Sequence, residues 1–208
     1  MQSAIVWDFD GTLADSYPGM VKATQYSLKK NFGINIRESD IKSEVIKTSI
    51  RDYVSNLLLD ENKVAEFYKD YRIQEKSFQN LIRLYPDTIE TLDYFKKENI
   101  TQFIFTHRDK SIFEVTKKLG IDDYFEEIVS VSDHHIRKPD PEMLNYLISK
   151  YDIPSQKLWV IGDRKVDIDF GNSVNAKTIL IRNNEKTNSN YQLKNLTEIM
   201  SIIKKDTL

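Results

Sequence analysis

The chain has 208 residues, with 30 lysines and arginines against 32 aspartates and glutamates, 40% hydrophobic residues and no cysteine. That length carries one core domain, or one core with a smaller inserted module, and the apolar share excludes a disordered chain. A formal net charge of -2 excludes a protein built mainly to bind nucleic acid or acidic membranes, which needs a basic surface.

The absence of cysteine excludes disulfides, thiol nucleophiles and thiolate metal sites. Any metal must then be held by oxygen or by three histidines, and oxygen ligands favour Mg²⁺. Glycine is scarce. There are six in the chain, roughly 3% against a usual value near 7%, so each one kept should have a reason. The start, Met1-Gln2-Ser3 before Ala4–Trp7, has no basic leader and only a short apolar run. No stretch approaches the ~20 apolar residues of a membrane span. The expectation is a soluble, cytoplasmic protein.

In chain order, Ala4–Trp7 is a short apolar run that stops at Asp8-Phe9-Asp10-Gly11, the pattern of a buried strand entering a polar loop. Residues 17–83 contain no strand-like run. Their spacing predicts helices over 19–31 (ending near Gly33), 39–47, 51–59 and 62–78. Strand and helix then alternate. Helices are expected over 88–97 and over 111–119 before Gly120, and strands over 101–105, 158–161 and 178–181, with a weaker one over 128–131. In Lys138-Pro139-Asp140-Pro141-Glu142, Asp140 fits a helix N-cap and Pro141 the first turn. The fold class is α/β: a Rossmann-like parallel sheet core flanked by helices, residues 1–16 and 84–208, with an inserted all-helical module, residues 17–83.

Chemistry gathers at the strand ends. Asp8 and Asp10 are two apart, so on an extended segment both carboxylates can face one site. Such a pair repels unless a cation or a shared proton relieves it, and Mg²⁺ with a division of labour between nucleophile and proton carrier is one solution. Thr106 ends the second core strand with a hydroxyl suited to an anionic oxygen. Lys138 is pinned ahead of a helix by two prolines, where it can neutralise a phosphate and a carboxylate. Gly162-Asp163 ends another strand, and Asp167 follows on the first turn of the next helix, so both carboxylates can reach one cation. In an open parallel sheet those edges line a single crevice.

These residues resemble the motifs of the haloacid dehalogenase-like hydrolase superfamily. Asp8-Phe9-Asp10-Gly11-Thr12-Leu13 is similar to its first motif, Thr106 to the second, Lys138 in Arg137-Lys138-Pro139-Asp140-Pro141 to the third, and Gly162-Asp163-Arg164-Lys165-Val166-Asp167 to the fourth. The helical insertion resembles the cap of the branch that holds phosphoglycolate phosphatase and β-phosphoglucomutase. The resemblance implies that Asp8 attacks phosphorus and becomes an aspartyl phosphate, and that Asp10 protonates the leaving oxygen and later deprotonates water. It implies that Thr106 bonds the phosphoryl group and Lys138 bridges nucleophile and phosphate. It also implies that Mg²⁺ is held by Asp8, the Asp10 carbonyl and Asp163, with Asp167 bound to it directly or through water. Halide displacement needs no second aspartate, so Asp10 favours phosphoryl chemistry over dehalogenation.

The expected activity is a Mg²⁺-dependent phosphatase for a small-molecule phosphate ester, with no nucleic-acid or membrane partner, as a monomer or weak dimer. A phosphomutase is the alternative, and a non-catalytic binding module on the same fold a more distant one. Choice of leaving group should fall to the cap, where Lys47 and Arg51, four apart if helical, could present positive charge. The cap stretch 45–51 lacks the glycine its relatives carry, and Asn175 is expected to supply a left-handed turn where relatives use glycine. His107 and Arg108 are placed at the crevice mouth, with His107 a candidate substrate-binding residue. The adjacent His134-His135 is assigned no metal. Phe67, Tyr68 and Tyr71 are read as cap core, and the hinges are expected at 15–18 and 84–86, with closure of the cap over substrate.

Overall fold

The computed structural model describes residues 3–134 and 136–207. In chain order the elements are β1 (Ala4–Trp7), β2 (Ala14–Asp15), α1 (Tyr17–Phe32), α2 (Glu38–Val45), α3 (Ile50–Leu58), α4 (Glu61–Ser77), β3 (Arg83–Leu84), α5 (Thr88–Lys97), β4 (Thr101–Thr106), α6 (Ser111–Leu119), β5 (Glu127–Ser130), α7 (Val131–His134), α8 (Glu142–Tyr151), β6 (Leu158–Gly162), α9 (Lys165–Asn172), β7 (Lys177–Ile181), β8 (Tyr191–Leu193) and α10 (Thr197–Thr207). They divide into two compact units: Met1–Ala14 with Leu84–Leu208, and Asp15–Arg83. Among the described residues no helix is long and apolar enough to cross a membrane.

The first unit is an α/β fold with a Rossmann-like parallel sheet in the order β5-β4-β1-β6-β7-β8. β1 is central and pairs in parallel with β4 (Val6 beside Phe103) and with β6 (Val6 beside Val160). The chain leaves β1, returns as β4, extends to β5, and only then crosses to β6 on the other side of β1. Strand order therefore reverses at β1, and in such sheets the carboxyl ends beside the reversal form the ligand crevice.

Burial explains the apolar runs. All of β1 is buried, as in a strand covered on both faces. Ala4 and Val6 meet Phe103, Phe105, Leu144, Leu147 and Phe170 on one face. Each large side chain buried there contributes about 1.5–3 kcal/mol. On the other face Trp7 lies 6.1 Å from Phe95, ring to ring. Its Nε1 donates to Gln102 Oε1 at 3.1 Å, and Gln102 donates to the Leu92 carbonyl, so this buried polar pair is satisfied.

The second unit is helical. Gly33 ends α1 in the left-handed conformation, φ 67°. Gly19 has a packing reason: a Cβ there would come 2.9 Å from the Phe78 carbonyl oxygen. Phe67 and Tyr71 stack at 5.4 Å inside the helical core, so they are core residues here, with Tyr68 packed edge-on to both. Buried Asp70 is held by Ser27 at 3.0 Å and Lys30 at 2.6 Å.

The structure adds short elements and a C-terminal helix to the sequence-based expectations and moves one helix start. β8 and α10 were not foreseen. β8 is three residues long and largely exposed, too short to show a period. α10 buries Ile199 and Ile203 four apart and packs against α5. Helix α8 starts at Glu142 with Pro141 in the cap position, one residue later than expected, and Asp140 Oδ1 accepts the Glu142 N–H at 3.0 Å. Arg83 opens a two-residue strand, β3, paired with β2. Asn175 does adopt a left-handed conformation, φ 57°.

Gly171 packs α9 onto the sheet, where an added Cβ would lie 2.4 Å from Thr178 Cγ2 and 2.9 Å from Val160 Cβ. Gly171→Ala is predicted to cost about 1–3 kcal/mol in urea unfolding, since neither neighbour can retreat from a packed strand. An unchanged midpoint would show this contact to be slack.

Candidate active site

Two strand ends, the first turn of a helix and one loop bring the charged groups together. Asp8 leaves the carboxyl end of β1, its N–H still bonded to the Ile161 carbonyl of β6 at 2.8 Å. Asp163 follows β6, and Asp167 is the third residue of α9. One oxygen from each of these three buried carboxylates lies within 4.8 Å of the others. Asp167 does double work: its Oδ2 accepts the Arg164 N–H at 3.1 Å, which caps α9, while its Oδ1 faces Lys138. Gly162 makes this approach possible, because a Cβ there would fall 2.2 Å from Asp167 Cβ.

Lys138 is buried rather than solvated. Its Nζ donates to Asp8 Oδ1 at 2.6 Å and to Asp167 Oδ1 at 2.8 Å. Burial alone would lower the pKa of this ammonium, but Asp167 and Asp8 outweigh it and raise it. One ammonium against two carboxylates leaves negative charge in excess even before Asp163 is counted. Burial, more than any other cause, therefore pushes the Asp8 carboxyl up from 3.8 to about 7; Lys138 opposes the shift, while Asp167 adds to it.

Asp10 points its carboxylate at a different partner. Arg108 Nη2 donates to its Oδ1 at 2.6 Å and Nε to its Oδ2 at 3.3 Å. Of the four aspartates expected around the metal, the structure gathers the carboxylates of Asp8, Asp163 and Asp167 and gives that of Asp10 to a guanidinium. Thr106, fully buried at the end of β4, accepts the Arg108 N–H at 3.1 Å on its hydroxyl oxygen. Its O–H hydrogen remains a donor.

His107 is drawn inward. Its Nε2 accepts the Lys138 backbone N–H at 2.9 Å. Burial first, then the charges of Lys138, Arg137 and Arg164, lower its pKa to about 2, so the ring is neutral and holds the Lys138 loop.

Lys47 and Arg51 belong to the helical unit and are exposed. Lys47 lies past the end of α2 in a turn, paired with Glu44 at 3.2 Å, so the helical i, i+4 spacing assumed for it and Arg51 is absent. The His134-His135 reading falls on side chains outside the described residues.

Sequence reasoning gave no role to Asn183 and Arg182. Asn183 donates its side-chain amide to the Asp163 carbonyl at 2.7 Å, fixing the end of β6. Arg182, at φ 56°, donates to the Thr12 carbonyl at 3.1 Å, pairs with Asp87, and stacks 3.9 Å above the Tyr85 ring. It ties the loop after β1 to the segment ahead of α5. The only sequence signal for either was a polar pair directly after an apolar strand.

The donor set fits a hard divalent cation. It consists of carboxylate oxygens, and Asp8 Oδ2 is buried with no hydrogen-bond partner among the described residues. The switch-point edge of a parallel sheet thus carries a buried acidic cluster bridged by a lysine. The family described as haloacid dehalogenase-like hydrolase matches residues 5–181, and the chain belongs to that family.

Proteins named pyrophosphatase PpaX from Bacillus cereus (strain Q1) and Bacillus thuringiensis (strain Al Hakam) are each 25% identical over 181 residues, 86% of this chain and 82% of theirs. A solved protein described as a predicted phosphatase of Clostridium acetobutylicum superposes with a TM-score of 0.87 at 21% identity, covering 99% of both chains. One described as a predicted phosphoglycolate phosphatase of Haemophilus somnus 129pt gives 0.82 at 21% identity, covering 97% of both. These two show the same fold.

The Asp8 shift makes a prediction for the metal-free protein. The folded chain keeps a proton on Asp8 that the unfolded chain releases above pH 3.8. The stability Asp8 carries is whole below that pH and is lost as pH rises through about 7. In chelator, Asp8→Asn should therefore gain stability over the native chain by on the order of 2 kcal/mol between pH 5 and 8, measured by urea unfolding. Parallel stability–pH curves would mean that Asp8 is already ionised in the fold at pH 5.

Proposed function

We propose that this chain is a Mg²⁺-dependent phosphatase that hydrolyses a small phosphorylated metabolite through an aspartyl phosphate on Asp8. The observation that carries the reading is the buried cluster of Asp8, Asp163 and Asp167 bridged by Lys138, with the second carboxylate, Asp10, two residues from the nucleophile.

Asp8, Asp163 and Asp167 would hold Mg²⁺, with the Asp10 carbonyl as a further ligand. The ion would supply positive charge against the transferring phosphoryl group and against the excess of carboxylates. Asp8 presents a carboxylate oxygen to phosphorus while Lys138 holds the group through Oδ1. Lys138 keeps Asp8 and Asp167 from repelling one another and adds a fixed cation beside the phosphoryl oxygens. Thr106 donates its hydroxyl hydrogen to one of those oxygens. Asp10 gives a proton to the leaving oxygen as the P–O bond breaks. It then takes a proton from the water that attacks the aspartyl phosphate, which frees Asp8 and releases phosphate. His107 stays neutral and keeps the Lys138 backbone in place.

Phosphate release should be screened over sugar phosphates, phosphoglycolate, nucleotides and pyrophosphate, the last because of the relatives named pyrophosphatase. Release is expected with Mg²⁺ and is expected to be abolished by chelation. Asp8→Asn should lower kcat/KM on the best substrate by on the order of 10³-fold or more. Activity that survives this substitution, or turnover that yields an isomeric sugar phosphate in place of inorganic phosphate, would overturn the assignment.

A further inference from the structure

Arg108 has no part in the chemistry described above, yet it is among the most tightly held side chains in the α/β unit. Its side chain is 2% exposed. Its backbone N–H is bonded to the Thr106 hydroxyl at 3.1 Å, and its carbonyl accepts the Ser130 hydroxyl at 2.8 Å. Thr106 and Ser130 are register partners at the ends of the adjacent strands β4 and β5. Two neighbouring strands thus fix the Arg108 backbone from both sides. The guanidinium lies 5.9 Å from the centre of the Phe9 ring, a residue between Asp8 and Asp10. From that position it grips both oxygens of Asp10.

We infer that Arg108 is the positioning residue for Asp10. The inference rests on the reading of Asp10 as the proton carrier of a phosphatase. A carboxylate on a loop can rotate about its side-chain bonds, and proton transfer needs its oxygen within hydrogen-bond reach of the leaving oxygen. A planar guanidinium that meets both oxygens fixes the carboxylate plane, which a lysine cannot do. The two contacts differ. Oδ1 lies 2.6 Å from Nη2, and Oδ2 lies 3.3 Å from Nε. Held in that plane, the Asp10 carboxyl gives its proton to the leaving group and recovers one from water. The balance is internal: the proton taken from the hydrolytic water restores the one given to the leaving oxygen, and no co-reactant is needed.

The test separates proton delivery from everything else in the site by comparing kcat/KM on an alkyl phosphate, whose alkoxide leaves poorly without a proton, with kcat/KM on p-nitrophenyl phosphate, whose phenolate leaves without one. Both constants report steps up to formation of the aspartyl phosphate. Arg108→Ala should lose about 10²-fold on the alkyl ester and less than about fivefold on the aryl ester. Asp10→Asn should show the same bias, and the double variant should lose no more on the alkyl ester than Asp10→Asn alone, because Arg108 acts only through Asp10. Adding guanidinium at millimolar concentration to Arg108→Ala should restore part of the alkyl-ester rate.

Equal losses on both esters, or additive losses in the double variant, would overturn the inference. If Arg108→Ala does not fold by circular dichroism, Arg108→Lys carries the same comparison. It keeps charge and stem but not the fork, so the alkyl-ester bias should persist, and full native activity in Arg108→Lys would overturn the inference. An Asp10→Asn enzyme without any ester bias would overturn the role of Asp10 itself. The aspartyl-phosphate reading is tested separately by Asp8→Asn.

Discussion

Burying carboxylates at a sheet edge is costly unless charge is supplied, and this constraint organises the α/β unit. Isolated ionised groups in a protein interior cost several kcal/mol each, and removing one partner of a buried pair is more damaging than replacing the pair. Asp8 and Asp167 share the Lys138 ammonium. The ammonium reaches them because its loop is tied by its own backbone N–H to His107. His107 can accept that bond only as a neutral ring, and its burial among cations keeps it neutral. Gly162 is required because Asp167 occupies the space a side chain would take. Each of these features follows from placing two or three negative charges where the strands end.

The scaffold supplies rigidity by the same route. β1 is buried on both faces, and its hydrogen-bonded register with β4 and β6 sets where Asp8, Thr106 and Asp163 emerge. Asn183 holds the carbonyl of Asp163, and Arg182 holds that of Thr12. Both come from the loop after β7, so a segment that carries none of the acidic residues fixes the backbone of two loops that do. Functional side chains braced in this way keep their geometry without help from a ligand.

The core strands could be read from the sequence because every central strand is a short apolar run ended by a polar residue, and the ends of such strands converge in a parallel sheet. Thr106 and Asp163 were found that way. The C-terminal β8 and α10 were missed. β8 is short and solvent-facing, whereas Ile199 and Ile203, four apart in α10, are an ordinary helical signal. The charge partners were the least legible part. Nothing in the spacing of Arg108 after Thr106, or of Lys138 before Pro139, tells which carboxylate each will meet, because the contacts span 98 and 130 residues. The helical spacing assumed for Lys47 and Arg51 is absent for a local reason: the chain leaves the helix at Val45, and a turn does not keep helical spacing.

The two aspartates of the first motif differ most in their counterions, and the difference suits separate tasks. Asp8 is given a lysine, a compact charge on a flexible stem that can serve two carboxylates and follow an oxygen as its bonding changes. Asp10 is given an arginine, whose planar fork fixes orientation but does not shift easily between partners. In the proposed phosphatase, a nucleophile that must move toward phosphorus and then leave it is served by the first arrangement. A proton carrier that must return to the same place for a leaving oxygen and then for water is served by the second. Two identical side chains two residues apart are thus made chemically unlike by the cations that two other loops bring to them.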